Sequence, residues 1–272
     1  RPRIIGAMTR LGRTFLLLLA SIGLLIGAEA SAAEGPLVAA AASTRAALED
    51  VAARYLEATG ESVRLVFASS GMLAQQIENG APFGLFLSAN GVYVTRLANA
   101  GWTRGVPVVY AGGVLALFTR HGLLDVNTKP LAALRRALNA GRIERFVIAN
   151  PEHAPYGSAA RAALGDAGLW EKVRPLLLLG ANAGQAVQYS IQAGVDAALV
   201  PLSLARAAAL AQLGDLQLLP AASHPNVPLH QVMVMLQNSD VATQRFFEYL
   251  QSTDAQAAFI HHGLKLPTLV LE

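Results

Sequence analysis

Residues 106–122 read VPVVYAGGVLALFTRHG, a long apolar stretch interrupted by the pair Gly112–Gly113. Such a run predicts an extended strand. A paired glycine inside a strand indicates either a bend or a crossing of the chain from one structural body to another. The sequence on both sides of this stretch favours a crossing.

Strands and helices alternate on each side of it. Before the stretch, a strand at Pro36–Ala42 precedes a helix whose apolar positions Leu48, Val51 and Tyr55 recur at helical spacing. After it, the alternation restarts and continues to a second extended run at Val227–Met235. Strands separated by helices predict parallel sheets with right-handed connections. The sequence therefore predicts an α/β fold.

Two extended runs that flank a middle α/β block predict two α/β lobes joined by two crossing strands, with a ligand cleft between the lobes. We expect residues 33–112 and 228–272 to form lobe 1, and residues 113–227 to form lobe 2. The last helix is expected to run without interruption over residues 241–263.

Residues 1–32 have the pattern of a secretory signal peptide: a basic start, an apolar middle and the small-residue exit Ala30-Ser31-Ala32. The apolar segment Thr14–Ala28 is shorter than the roughly 20 residues of a membrane-spanning helix. This predicted leader holds four arginines and one glutamate, so its net charge equals the +3 of the whole chain and leaves the remainder neutral. A neutral chain without a basic run offers nothing for nucleic acid. The absence of cysteine excludes disulfides, thiolate metal sites and a lipid-anchored cysteine. We expect an exported, soluble protein.

Four junctions between a strand and the following helix carry small or hydroxyl residues, namely at Ser43, Ser70, Tyr156 and Ala183. In open α/β sheets, ligands bind at the carboxyl ends of the strands. Helix N-termini there present unpaired N–H groups and a partial positive charge. Four such ends around one cleft predict a receptor for an anion that uses no charged side chain.

Each junction also has a purely structural interpretation. Ser43 and Ser70 are suitable N-cap residues, and Tyr156 can pack at the edge of a cleft. Ala183 offers only its backbone amide, and the neighbouring Asn182 can serve as a cap. The argument for binding is the repetition of one pattern at one end of both lobes.

The pair Glu152–His153 lies between prolines in the segment NPEHAPYGSAA, residues 150–160. No third residue is evident that would orient the imidazole as in a catalytic triad, and we expect both residues to be structural. Motifs typical of hydrolases, nucleotide-binding loops and zinc proteases do not occur in the sequence.

Five segments resemble the periplasmic molybdate-binding proteins of ABC transporters, in the same order and across nearly the whole chain after the leader. They are VAAAASTRAALEDVA (38–52), FASSGMLAQQIENGAP (67–82), LFLSAN (85–90), NPEHAPYGSAA (150–160) and YLQSTDAQAAFIHHG (249–263). The resemblance implies a type II periplasmic binding protein fold. It also implies a tetrahedral oxyanion held by the hydroxyls of Ser43 and Ser70 and by the backbone amides of Tyr156 and Ala183.

Two positions depart from the pattern of that family. Pro201 stands near the place where some members have a ligand-binding tyrosine, and the hydroxyl of Tyr156 could replace that contact. Gly84 stands where many members have an acidic residue before the third strand.

The resemblance implies a periplasmic binding protein, not an enzyme, that delivers molybdate or tungstate to an ABC permease in the inner membrane. We expect a monomer with no cofactor and no bound metal cation, the molybdenum being held as an oxyanion. Two alternatives remain: a binder of another solute such as sulfate, and an exported hydrolase that uses Ser43 or Ser70 with His153. An amino-acid binder would need an arginine at the cleft, and none of the four junctions has one.

Overall fold

The framework of the molecule is two five-stranded sheets, seen in a computed structural model that describes residues 35–192, 194–207 and 210–267. The predicted leader, residues 1–32, lies outside the described residues. In the described part of the chain, the strands are β1 (Leu37–Ala41), β2 (Arg64–Ala68), β3 (Leu85–Ser88), β4 (Thr103–Gly112), β5 (Leu115–Arg120), β6 (Phe146–Ala149), β7 (Leu177–Gly180), β8 (Ala197–Pro201), β9 (Gly214–Leu218) and β10 (His230–Leu236).

Each sheet is mixed. The first has the order β2-β1-β3-β10-β4, in which β1 runs parallel to β2 and β3 while β10 runs antiparallel to both of its neighbours. The second has the order β7-β6-β8-β5-β9, in which β6 runs parallel to β7 and β8 while β5 is the antiparallel strand. Each sheet with its helices forms one α/β lobe, so the predicted fold class is observed.

Helices follow most strands and cover both faces of each sheet. They are α1 (Arg45–Thr59), α2 (Ser70–Glu78), α3 (Gly91–Asn99), α4 (Pro130–Asn139), α5 (Pro155–Asp166), α6 (Trp170–Val173), α7 (Ala183–Gln192), α8 (Leu202–Ala207), α9 (Val241–Tyr249) and α10 (Thr253–His261). Neighbouring residues of β1 belong to cores on opposite faces, Ala40 to one and Ala39 to the other. Strands buried on both faces read as continuous apolar runs, which explains the sequence of β1.

The chain crosses between the lobes at Gly113 and Val114, since β4 lies in the first sheet and β5 in the second. The Gly113 amide donates to the Leu229 carbonyl at 2.7 Å, which joins this crossing to the returning segment before β10. A Cβ on Gly113 would overlap the hydroxyl of Tyr156. The glycine pair thus marks a crossing rather than a bend within one sheet, and close packing requires its second member.

Two details differ from expectation. The last predicted helix is two helices, α9 and α10, because Ser252 begins a new one by accepting a hydrogen bond from the Ala255 amide at 3.2 Å. Strand β9 is not evident in the sequence, since it is a short strand at the edge of the second sheet whose residues are mostly half-buried.

Candidate functional site

The four residues singled out by the sequence line one small cavity, about 10 Å³ in volume, to which both lobes contribute. No charged side chain lines it, and its walls are mostly alanine methyl groups. The lining residues are Ala41, Ala42, Ser43, Ala68, Ser69, Ser70, Ala89, Ala154, Pro155, Tyr156 and Ala183. The cavity therefore lies at the carboxyl ends of strands from two sheets and at the N-termini of the helices that follow.

Ser43 lies in a 3-10 turn, Ala42–Thr44, between β1 and α1. Its side chain is buried, and its Oγ atom has no hydrogen-bond partner among the residues that the structure describes. Neither this turn nor α1 has a side-chain cap, so the interpretation of Ser43 as an N-cap is wrong. A buried hydroxyl without a protein partner can donate to a ligand in the cavity.

Ser70 is the first residue of α2 and is fully buried. The N-cap is its neighbour Ser69, whose Oγ accepts from the Met72 amide at 3.4 Å, so the alternative interpretation of Ser70 as a cap is also wrong. Ser70 Oγ accepts a hydrogen bond from the Ala89 amide at 3.0 Å. Since that bond uses an oxygen lone pair, the hydroxyl proton of Ser70 stays available to a ligand.

Tyr156 and Ala183 stand at the starts of α5 and α7, where the first N–H groups have no partner within the helix. Pro155 occupies the first position of α5, so the Tyr156 amide is the first donor of that helix. Before α7, the Asn182 side chain accepts from the Gln185 amide at 3.0 Å and caps the helix, as the sequence allowed. The Ala183 amide therefore stands beside a formed cap.

The hydroxyl of Tyr156 lies at the crossing of the two strands, next to Gly113. It is buried, and within the described residues no group meets the geometry of a full hydrogen bond to it. Burial raises the pKa of Tyr156, and the neighbouring Val114 backbone offsets part of that rise. The hydroxyl is thus a neutral donor. Its use as a substitute for the contact missing at Pro201 stays a prediction.

Gly84 lies away from the cavity. Its amide donates to the Leu37 carbonyl at 2.9 Å, and a Cβ would lie 2.7 Å from Thr243 Oγ1. The acidic residue that many members of the resembling family have here would collide with Thr243 in this chain.

His153 contacts a serine, but not one of the two that the hydrolase alternative required. Its Nδ1 lies 2.9 Å from Ser69 Oγ, and its carbonyl accepts from the Gly71 amide at 2.9 Å. Glu152 points elsewhere, to Arg161 at 2.7 Å. The pairing of His153 with Ser69 is not evident in the sequence, because no short motif links positions 69 and 153.

Among the described residues, no group of three or more histidine, cysteine, aspartate or glutamate side chains is placed to hold a metal ion. The helices of this part of the chain are all too short or too polar to cross a membrane.

Comparison with known proteins adds independent evidence. Residues 36–265 match the sequence profile of a family described as bacterial extracellular solute-binding protein. The molybdate-binding protein ModA of Azotobacter vinelandii is 34% identical over 66% of this chain and 69% of its own length. That of Rhodobacter capsulatus is 27% identical over 94% and 98%. Both relatives are named for molybdate binding.

A solved structure confirms the fold. The periplasmic molybdate-binding protein of Azotobacter vinelandii superposes with a TM-score of 0.77 and 28% identity, covering 86% of this chain and all of the other. The predicted type II periplasmic binding protein fold, two α/β lobes with a cleft between them, is therefore confirmed.

Proposed function

Because this chain belongs to the family of bacterial extracellular solute-binding proteins, we propose that it binds molybdate or tungstate and delivers the oxyanion to an ABC-type permease in the inner membrane. The observation that supports this proposal is the convergence of Ser43, Ser70, Tyr156 and Ala183 on one cavity without a charged side chain. The relatives named for molybdate binding support the choice of ligand.

Neutral donors can hold a doubly charged anion in such a cavity. Two serine hydroxyls and two amides at helix N-termini supply four donors, and the helix dipoles add partial positive charge. Each hydrogen bond to a charged oxygen contributes about 1.5–3 kcal/mol. Exclusion of water by the two lobes strengthens these interactions, because the local dielectric constant falls.

The same donors disfavour a protonated oxyanion. A monohydrogen phosphate would bring a hydroxyl that needs an acceptor, and no carboxylate lines the cavity. Glu152, the nearest acid in sequence to Pro155, is exposed and paired with Arg161. We therefore expect selection for anions that are fully ionised at neutral pH.

We also propose a periplasmic location, a monomeric state and no catalytic activity. Support for the location comes from the leader pattern of residues 1–32 and from the periplasmic relative of similar structure. The hydrolase alternative is weakened because Glu152 pairs with Arg161 rather than with His153, and Ser69 serves as a helix cap.

A calorimetric panel tests the function. The chain without residues 1–32 is titrated with molybdate, tungstate, sulfate and phosphate at neutral pH. We expect tight binding of molybdate and tungstate and no measurable binding of phosphate. Sulfate binding with no response to molybdate would refute the proposed ligand, and turnover of a model ester that is lost in Ser69→Ala would support the hydrolase.

A further inference from the structure

His153 connects the two lobes beside the cavity. It lies in the loop between β6 and α5 of the second lobe, while its partners Ser69 and Gly71 belong to the start of α2 in the first. The His153 imidazole forms a hydrogen bond with Ser69 Oγ, and the His153 carbonyl accepts one from the Gly71 amide, both at 2.9 Å. Ser69 and Ala154 line the cavity, whereas His153 does not. The two bonds therefore lie at the boundary of the site without reaching the ligand position.

The close approach of the lobes at this point depends on a glycine. A Cβ on Gly71 would lie 2.8 Å from the His153 carbonyl oxygen and 2.9 Å from its Cβ. Gly71 does not have a positive φ angle, so its backbone does not require glycine. What requires glycine is the contact with His153.

A third bond joins the lobes at another cavity residue. The Ser203 hydroxyl of the second lobe donates to the Ser43 carbonyl at 2.7 Å, and both residues are buried. Hydrogen bonds between the two lobes thus hold the closed arrangement at two segments that form the cavity, residues 69–71 and Ser43.

We propose that His153 is a positioning residue that holds the lobes closed over the oxyanion and so sets the rate at which the ligand leaves. This inference rests on the proposed function. When the lobes separate, the bonds to Ser69 and Gly71 are exchanged for bonds to water, so each makes a modest net contribution to closure. Loss of the side-chain bond corresponds to roughly a 2- to 12-fold fall in the ratio of closed to open molecules.

The first experiment measures closure without any ligand. The sequence contains no cysteine, so Glu57→Cys in the first lobe and Lys172→Cys in the second supply the two attachment sites for spin labels. Both positions are exposed. We expect a closed population in the ligand-free protein and a shift to longer label distances in His153→Ala. Glu152→Ala, which changes the same loop but removes a bond within one lobe, is the matched control and should keep the original distribution.

The second experiment measures the release of radiolabelled molybdate after mixing with an excess of unlabelled molybdate. His153→Ala should release the ligand roughly 2- to 12-fold faster with little change in association rate. Gly71→Ala, in which the added Cβ pushes the His153 loop away, should do the same with the imidazole intact. His153→Asn, which keeps a polar group near the Nδ1 position, should recover part of the loss.

Wild-type release rates in both His153→Ala and Gly71→Ala, or identical label distances in His153→Ala and the parent, would overturn the proposal. A ligand-free parent that shows only the long distance would overturn it as well. If the parent binds none of the oxyanions, the proposed function fails, while the label distances still decide whether His153 holds the lobes together.

Discussion

The Ser43→Ala substitution should separate ligand binding from folding. In the described part of the chain, the Ser43 hydroxyl is buried and meets no partner. A buried polar group that makes no hydrogen bond costs about 1–3 kcal/mol, and a water that reaches it offsets part of that cost. We therefore expect the free energy of unfolding of the ligand-free protein to stay unchanged or to rise by up to about 1 kcal/mol.

The effect on binding has the opposite sign. If Ser43 donates to a charged oxygen of the ligand, its removal loses about 1.5–3 kcal/mol. At 1.4 kcal/mol for each factor of ten, the Kd for molybdate should rise by roughly 10- to 140-fold. The alanine methyl group occupies the position of Ser43 Cβ, so the shape of the cavity is nearly preserved.

Two measurements check this prediction: calorimetric titration with molybdate, and urea unfolding of the ligand-free protein. Ser70→Ala is the matched control, because it leaves the Ala89 amide without the acceptor seen at 3.0 Å. That variant should lose both affinity and stability. The reasoning is refuted if Ser43→Ala binds with the parent Kd, or if it loses more than about 2 kcal/mol of stability without ligand.

Three other substitutions test the packing around the site and the acid limb of stability. Gly113→Ala should lower the free energy of unfolding by about 1–3 kcal/mol, because its Cβ overlaps the Tyr156 hydroxyl. Adding Tyr156→Phe should recover part of this loss in thermal melts. If stability does not recover, the overlap is not the cause. Gly84→Asp should lower the free energy of unfolding by a similar amount, because the new side chain collides with Thr243. The Kd for molybdate should stay unchanged, since Gly84 does not line the cavity. A changed Kd would contradict the placement of Gly84 outside the site. Asp240→Ala should cost about 1 kcal/mol at pH 7, because Asp240 caps α9 through the Thr243 amide at 2.7 Å. Hydrogen bonds from Thr243 hold the pKa of Asp240 below its ordinary 3.8. The stabilisation by the charged cap is therefore present above pH 3.8 and disappears as the pH falls through the lowered pKa. In urea titrations, the stability difference between parent and Asp240→Ala should be smaller at pH 3 than at pH 7, and an equal difference at both pH values would count against the cap.

The convergence of the four candidate residues on one cavity was predictable, because it follows from a simple rule. Parallel strands place their carboxyl ends on one edge of a sheet, so residues 43 and 70 can be assigned to one region without coordinates. The same rule applies to residues 156 and 183 in the second sheet. The glycine pair at 112–113 then indicates that the two regions belong to connected bodies.

What the sequence did not reveal depends on contacts between distant segments. The pairing of Ser69 with His153 joins two lobes, and only their docking brings these positions together. Which of two adjacent serines caps α2 depends on where the strand ends, and helix boundaries shift by one or two residues for small energetic differences. Strand β9 was missed because an edge strand of mixed burial lacks the continuous apolar run of the strands in the middle of the sheet.

The place of β10 in the first sheet has a consequence for the order in which the protein can fold. It lies between β3 and β4, yet it is synthesised after the whole of the second lobe. Until residues 230–236 leave the ribosome, the facing edges of β3 and β4 remain unpaired. The second lobe has all its strands between residues 115 and 218 and can fold as a unit while the chain is still growing. The first lobe thus remains incomplete during synthesis even after the second lobe has all of its strands.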